Sequence, residues 1–409
     1  MRRRKPTNWA KVITLGGLAL LVIALALPFV VQLKPWLPEL EEQLSQAIGE
    51  PVAFNGARAG LSPRPFLELS GVSLGPDKDV QATSARLYPD LRSLFEPTKH
   101  IVEIEVSGAV VRRSAVLRFM GVRARAGGLQ RIRLGRIRAP RAGLDVLEGK
   151  FGEVDMDAML NRENQLVSLV LEAADGKSKL EVAPAAEGLQ LTFSAQRWQA
   201  PIGPAIPLER FFAQGTLSEG KLALSELTAG GFGGDARGGL ELTWNRGWNL
   251  SGRVHASRVD LQPALRALKS PLPVRGSLEG DLRFSATAET PDALASALKL
   301  EGTFTVSNGV LNDFDFPRVI RGAPRDGVRG GQTQFEQLAG SVQIGNGYRF
   351  TGLKLSSGLM SASGNISIAE RGELSGTMSV ELKGTASTLG STVITSGTLR
   401  DPVLLPPGR

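Results

Sequence analysis

The 409 residues predict a mainly β protein: an elongated, curled antiparallel sheet enclosing a groove, with a few short helices, preceded by one N-terminal transmembrane helix. Three observations predict it. Val12–Leu33 carries no charge and is closed by Lys11 and Lys34. From Val52 onward apolar and polar residues alternate with a period of two, in runs recurring about every 8 to 12 residues between Gly, Asn, Asp or Pro. Glycine supplies 48 of the 409 residues, well above the usual share of about 7 %, which suits chains of hairpins better than helical bundles.

Val12–Leu33 makes a helix of roughly 33 Å, enough for a hydrocarbon core of about 30 Å. Trp9 and Trp36 lie just outside it, where indoles favour the headgroup layer. Ala24-Leu25-Ala26 resembles a small-residue cleavage site, but the apolar run continues through Phe29, Val30 and Val31, which favours an uncleaved anchor. Arg2, Arg3, Arg4, Lys5 and Lys11 precede the run and no acid does, so residues 1–11 are expected to be a cytoplasmic tip, with 12–33 spanning and the rest outside. The absence of cysteine is compatible with an oxidising compartment.

The net charge of +8 is local. Five cations sit in the tip and ten arginines between Arg112 and Arg141, a segment with no acid; the remainder is net negative. Pro35–Ile48 reads as an amphipathic helix with Leu37, Leu40, Leu44 and Ile48 on one face, acids near its start, and Gly49 and Pro51 ending it. It either lies on the outer leaflet or plugs the end of the first sheet. A β domain is expected over 50–290 and a second over 299–409. In the first, Phe66–Gly75 and Ile101–Val111 alternate cleanly, and Pro89–Phe95 forms a helical turn or a bend. In the arginine-rich segment, Arg131 and Arg133 fall on one strand face and Ile132 and Leu134 on the other; Gly135 breaks the phase as a bulge would, so that Ile137 rejoins the apolar face. Arg131, Arg133, Arg136 and Arg138 then form either a basic rim for phospholipid headgroups, worth about 1 kcal/mol per residue near an anionic surface, or a solvated face that discourages edge pairing. Nucleic acid is disfavoured, because interleaved aromatics are missing. Farther on, Asp260 is expected to cap a short helix carrying Leu261, Leu265 and Leu268, and Thr290-Pro291 to start another carrying Leu294 and Leu298. A repeat displaced by 126 residues aligns Leu224 with Phe350, Leu227 with Leu353 and Gly238 with Gly364.

Catalytic patterns are weak. Gly71-Val72-Ser73-Leu74-Gly75 has the spacing of a nucleophile elbow, but a turn follows it where a helix is required. Gly231-Phe232-Gly233-Gly234-Asp235-Ala236 resembles a dinucleotide fingerprint but continues into a strand. Asp175-Gly176-Lys177-Ser178 lacks the first glycine of a phosphate loop. His100 and His255 are the only histidines, so neither a triad nor a zinc site is expected. The chain is therefore expected to be no enzyme and to carry neither cofactor nor metal.

Leu300-Glu301-Gly302-Thr303-Phe304-Thr305-Val306-Ser307-Asn308-Gly309-Val310-Leu311, with an acid following at Asp313 or Asp315, resembles the opening of an AsmA-like C-terminal domain. Gly331-Gln332-Thr333 with Phe335, the hairpin at Gly345-Asn346-Gly347, Ser361-Ala362-Ser363-Gly364 and the closing Gly397–Pro402 fit the same order. So does the beginning, with one anchor, an amphipathic helix and Gly49-Glu50-Pro51-Val52 leading into strands. The resemblance to AsmA/TamB-type envelope proteins implies a bacterial inner-membrane protein, single pass, with its bulk in the periplasm. It implies a groove that binds or passively transfers phospholipid between envelope membranes, with outer-membrane or periplasmic protein partners. Lining residues are then expected to be Phe304, Val306, Val342, Ile344, Leu353, Leu355, Ile366, Ile368, Val380 and Leu382; an ordinary sandwich core would use the same residues. About 25 to 30 strands at roughly 4.8 Å give a groove on the order of 120 to 140 Å, short enough to call for a partner, an oligomer or a shuttle role. A structural or assembly factor for outer-membrane biogenesis that never carries lipid, and a periplasmic component of a secretion machine, are the alternatives.

Overall fold

The computed structural model describes residues 37–112, 114–115, 131–145, 152–199, 206–322, 324, 326–384 and 387–406. The candidate anchor Val12–Leu33 and much of the arginine-rich segment lie outside them. Among the described residues no helix is long and apolar enough to cross a membrane. The protein is mainly β, with 24 strands joined by hydrogen bonds into one sheet. Two compact units divide it near residues 176–185.

In the first unit, α1 (Leu37–Ile48) precedes β1 (Val52–Ala53), β2 (Gly56–Gly60), β3 (Phe66–Leu74), β4 (Val80–Pro89), β5 (Lys99–Ser107), β6 (Val110–Arg112), β7 (Ile132–Asp145), β8 (Glu153–Leu160) and β9 (Leu166–Ala173). Leu44 and Ala47 of α1 are buried against Leu69, Leu87, Ile101, Ile132 and Leu134, so the helix covers the first sheet's core, the second of the two positions the sequence left open. Its polar side is tied down as well: Phe54 N donates to Glu41 Oε1 at 2.9 Å and Val52 N to Ser45 Oγ at 2.9 Å. Gly49 takes φ +80° and ends the helix, where a side chain would be strained.

The expectation of a wholly antiparallel sheet needs correction. β7 runs parallel to both β5 and β6, so the sheet is mixed. Parallel neighbours need a crossover of about a dozen residues or more, which the chain between Arg112 and Ile132 supplies in length. The bulge expected at Gly135 is also absent. Ile101 faces Leu134 and Glu103 faces Arg136, so no residue is inserted. The phase changes in both strands at once, at Val102 and Gly135, where a Cβ on Gly135 would meet Val102 O at 2.6 Å. Ile104 and Ile137 thereby rejoin the core of Ile101 and Leu134, as the pattern required.

β10 (Ser178–Ala185) lies at the boundary. The second unit continues with β11 (Gly188–Gln199), β12 (Pro207–Ser218), β13 (Lys221–Gly231), β14 (Gly234–Thr243), β15 (Trp248–Asp260), α2 (Leu261–Ala267), β16 (Val274–Ala288), β17 (Lys299–Asn312), α3 (Phe316–Gly322), β18 (Val328–Arg329), β19 (Gln332–Gly345), β20 (Gly347–Ser357), β21 (Met360–Ala369), β22 (Leu374–Lys383), β23 (Thr388–Thr398) and β24 (Asp401–Leu405). From β11 to β17 each strand pairs antiparallel with the next; β17 pairs with β19, and the meander resumes to β24. The repeat recurs in this register: β13 bulges against β14 between Leu224 and Leu227, and β20 against β21 between Phe350 and Leu353. Asp260 caps α2 as expected, accepting from Gln262 N at 3.0 Å. The helix expected from Thr290 shortens to one 3-10 turn, Pro291–Ala293. α3 follows no pattern noticed in the sequence.

Candidate functional site

The inner face of the second unit is apolar because every second residue of its strands is. Leu300, Ile344 and Ile368 stand in one cross-strand row, and Val306 pairs with Leu338 and Leu338 with Leu355. Val306, Leu355 and Ile368 are buried in one packed core, with Leu338 against it. The same face borders a cavity of about 600 Å³ lined from β12–β17 and β19–β22, in which Asp235 is the one charged lining residue among the described residues. α2 lies over it and turns Leu261, Ala264 and Leu265 inward. Leu268, just past that helix, lines the cavity and is still 47 % exposed, so the cavity reaches solvent there.

At one edge of the cavity α3 packs on β22 and β23, with its first residue, Phe316, on the cavity wall. Phe316 and Val319 are buried in the same core as Val380 and Val393. The helix start is pinned by Thr333, itself buried, whose Oγ1 donates to Phe314 O at 2.7 Å and accepts from Phe316 N at 3.2 Å. The apolar face therefore continues under α3, but the open space does not.

Of the residues expected to line a groove, Phe304, Val306, Val342, Ile344, Leu353, Leu355, Ile366 and Ile368 are on the cavity wall. Val380 and Leu382 are not: Val380 is fully buried in the core that α3 completes, and Leu382 is half-buried against it. Toward the other side, Phe193, Trp198 and Phe211 cluster on β11 and β12 with ring centroids 5.0 to 5.9 Å apart, and Phe211 pairs with the cavity residue Ala229.

In the first unit Arg131, just before β7, and Arg133, Arg136 and Arg138 within it part company. Arg136 Nε donates to Asp157 Oδ1 at 2.8 Å, and Arg138 lies 3.7 Å from Glu103, whose carboxylate also meets Arg64. The hydrogen bond from Arg136 holds the Asp157 carboxyl below its ordinary pKa, with Arg138 adding its charge. Arg131 and Arg133 are exposed and pair with no described acid. β7 is flanked by β5 and β8, so edge protection is not what these arginines provide. A related pair holds β3 to β4, where Arg86 beside Glu68 (3.0 Å) lowers the Glu68 carboxyl pKa, and Arg58 contributes from 3.4 Å.

The AsmA family model matches residues 148–351. The chain is AsmA-like. No curated protein and no solved structure matches it significantly. The matched stretch of this AsmA-like chain takes in α2, α3 and the cavity strands from β12 to β19, and includes Leu300–Leu311. Gly231–Asp235 is the hairpin turn between β13 and β14, with Phe232 and Gly233 at φ +53° and +74°; Ser73 lies inside β3. Sequence reasoning missed Leu278, Leu282 and Leu300 as lining, although the alternation Leu278-Glu279-Gly280-Asp281-Leu282 carries the signal. It also missed Phe314 and Phe316, just before and at the start of a seven-residue helix too short to show a period.

Proposed function

We propose that this AsmA-like protein is an inner-membrane-anchored envelope protein whose apolar cavity holds lipid hydrocarbon and passes phospholipid passively between envelope membranes. The observation that carries the reading is a cavity lined from ten strands with a single charged lining residue among the described residues. Taking two acyl chains through water exposes some 30 methylenes, on the order of 24 kcal/mol at about 0.8 kcal/mol each. A continuous apolar wall removes most of that barrier. Since α3 fills the space over β22 and β23, hydrocarbon enters and leaves beside α2, at Leu268, or along the wall toward Phe211.

The test uses the full chain in mild detergent, with a photocrosslinking amino acid at Leu355 or Ile366 and bound lipid read by mass spectrometry. Phospholipid adducts are expected at both positions and not at Leu359, which is 65 % exposed. Absence of adducts at both cavity positions overturns lipid carriage and leaves an assembly role without lipid.

A further inference from the structure

We propose that one end of the first unit's strands is a docking surface for an anionic phospholipid bilayer. The pairings Gly60–Phe66, Pro89–Ile101 and Lys99–Ile132 bring the loop 61–65, the turn 90–98 and Arg131 to the same strand end. Asn164 Oδ1, accepting from Leu134 N at 2.8 Å, adds the loop 161–165. This end exposes apolar side chains that a water-facing surface has no use for: Phe95 is 94 % exposed, Leu91 50 % and Leu61 41 %.

The exposure of Phe95 is built into the turn. Ser93 is 4 % exposed; its Oγ donates to Asp90 O at 2.7 Å and accepts from His100 N at 2.8 Å. That buried hydroxyl ties down the start of the 3-10 turn Ser93–Phe95, at whose end the phenyl ring is exposed. Around the apolar tips stand Arg92, Arg131 and Arg162, all exposed and none in an ion pair with a described residue. Asp90, Glu96 and Glu163 share this end, and the Asp90 carboxylate is occupied by Arg92 N at 3.0 Å. With Lys99, whose Nζ donates to Glu96 O at 2.6 Å, the cations at this end outnumber its three acids, and apolar tips among them match an interface whose surface is anionic and whose next layer is hydrocarbon.

The choice of a bilayer as occupant rests on reading Val12–Leu33 as an anchor. Residues 34–36 alone separate that run from α1, about 10 Å of chain even when extended, so the unit folds against the membrane surface.

The chain has no cysteine, so single labels are clean. The full chain carrying Leu91→Cys with an environment-sensitive fluorophore is placed in nanodiscs of phosphatidylglycerol and phosphatidylcholine. Nitroxide-bearing lipid is the membrane quencher and iodide the aqueous one. Leu359→Cys, in the second unit, is the reference, and Leu21→Cys reports the anchor. Lipid quenching about threefold stronger at Leu91→Cys than at Leu359→Cys is expected, as is loss of that difference on adding Phe95→Asp, because binding scales with buried apolar area. Iodide quenching at Leu91→Cys equal to the reference overturns the docking surface. If Leu21→Cys also escapes the lipid quencher, the anchor reading falls with it; if Leu21→Cys is quenched, docking alone is overturned.

Discussion

At the scale of single residues, the polar groups that matter hold β structure in place. Glu68 shows how. Its carboxylate accepts from Arg86 and lies near Arg58, bridging β2, β3 and β4 on a face where only 17 % of the Glu68 side chain is exposed. Its pKa is lowered from an ordinary 4.5, so it binds its proton more weakly folded than unfolded. That stabilisation is complete above the unfolded value and is lost as pH falls through the lower folded value. Glu68→Gln should therefore lower the unfolding midpoint near neutral pH, and the gap from the parent should close as pH drops below 4.5. Thermal unfolding followed by circular dichroism across that range checks it; a gap that persists at the acid end contradicts the assignment. The pairing of Arg136 with Asp157 could not be read from the sequence. The acidless run from Arg112 to Arg141 looks like one basic patch until β8 lays Asp157 opposite Arg138. Only folding shows which arginines remain for a partner.

At the scale of elements, two short helices do different work on one apolar face. α3 is pinned by Thr333 and by the burial of Phe316, and closes the space over the last strands. α2 packs on β15 and β16, the strands that flank it, and stands beside the cavity's opening. Its start depends on one side chain, Asp260. Asp260→Ala removes a cap worth about 1 kcal/mol, enough to raise the opened population of a seven-residue helix several-fold. Hydrogen exchange at the backbone amides of Leu265–Leu268 should speed up by that factor while those of β16 stay unchanged; equal protection in the variant would show that packing alone holds the helix. Asp260 was legible because a cap is a local signal. α3 was not, since its apolar residues are justified only by the strands it covers. The parallel placement of β7 was hidden for the same reason: alternation fixes which face a residue takes, not which neighbour its strand joins.

At the scale of the whole molecule, the question is whether the apolar face of the second unit is a working surface or a core that failed to close. Alternation in the sequence is blind to this, because a sandwich interior and a trough wall have the same period. The answer lies in how the side chains respond to added volume. In a packed core an extra ring forces neighbours off their rotamers and costs about 1–3 kcal/mol. Leu282 points from β16 into the cavity and is half-buried, so an indole there has about 600 Å³ of space to enter. Leu282→Trp should leave the unfolding midpoint within the equivalent of about 1 kcal/mol, below the usual overpacking cost. It should at the same time reduce lipid adducts at Leu355 and Ile366, because the ring occupies the volume that hydrocarbon needs. A large loss of stability would mean that the wall collapses on itself in solution, and the same residues would then be an interior. Unchanged stability with undiminished adducts would place the lipid elsewhere on the chain. Small destabilisation together with lost adducts is the combination that only an open apolar cavity produces.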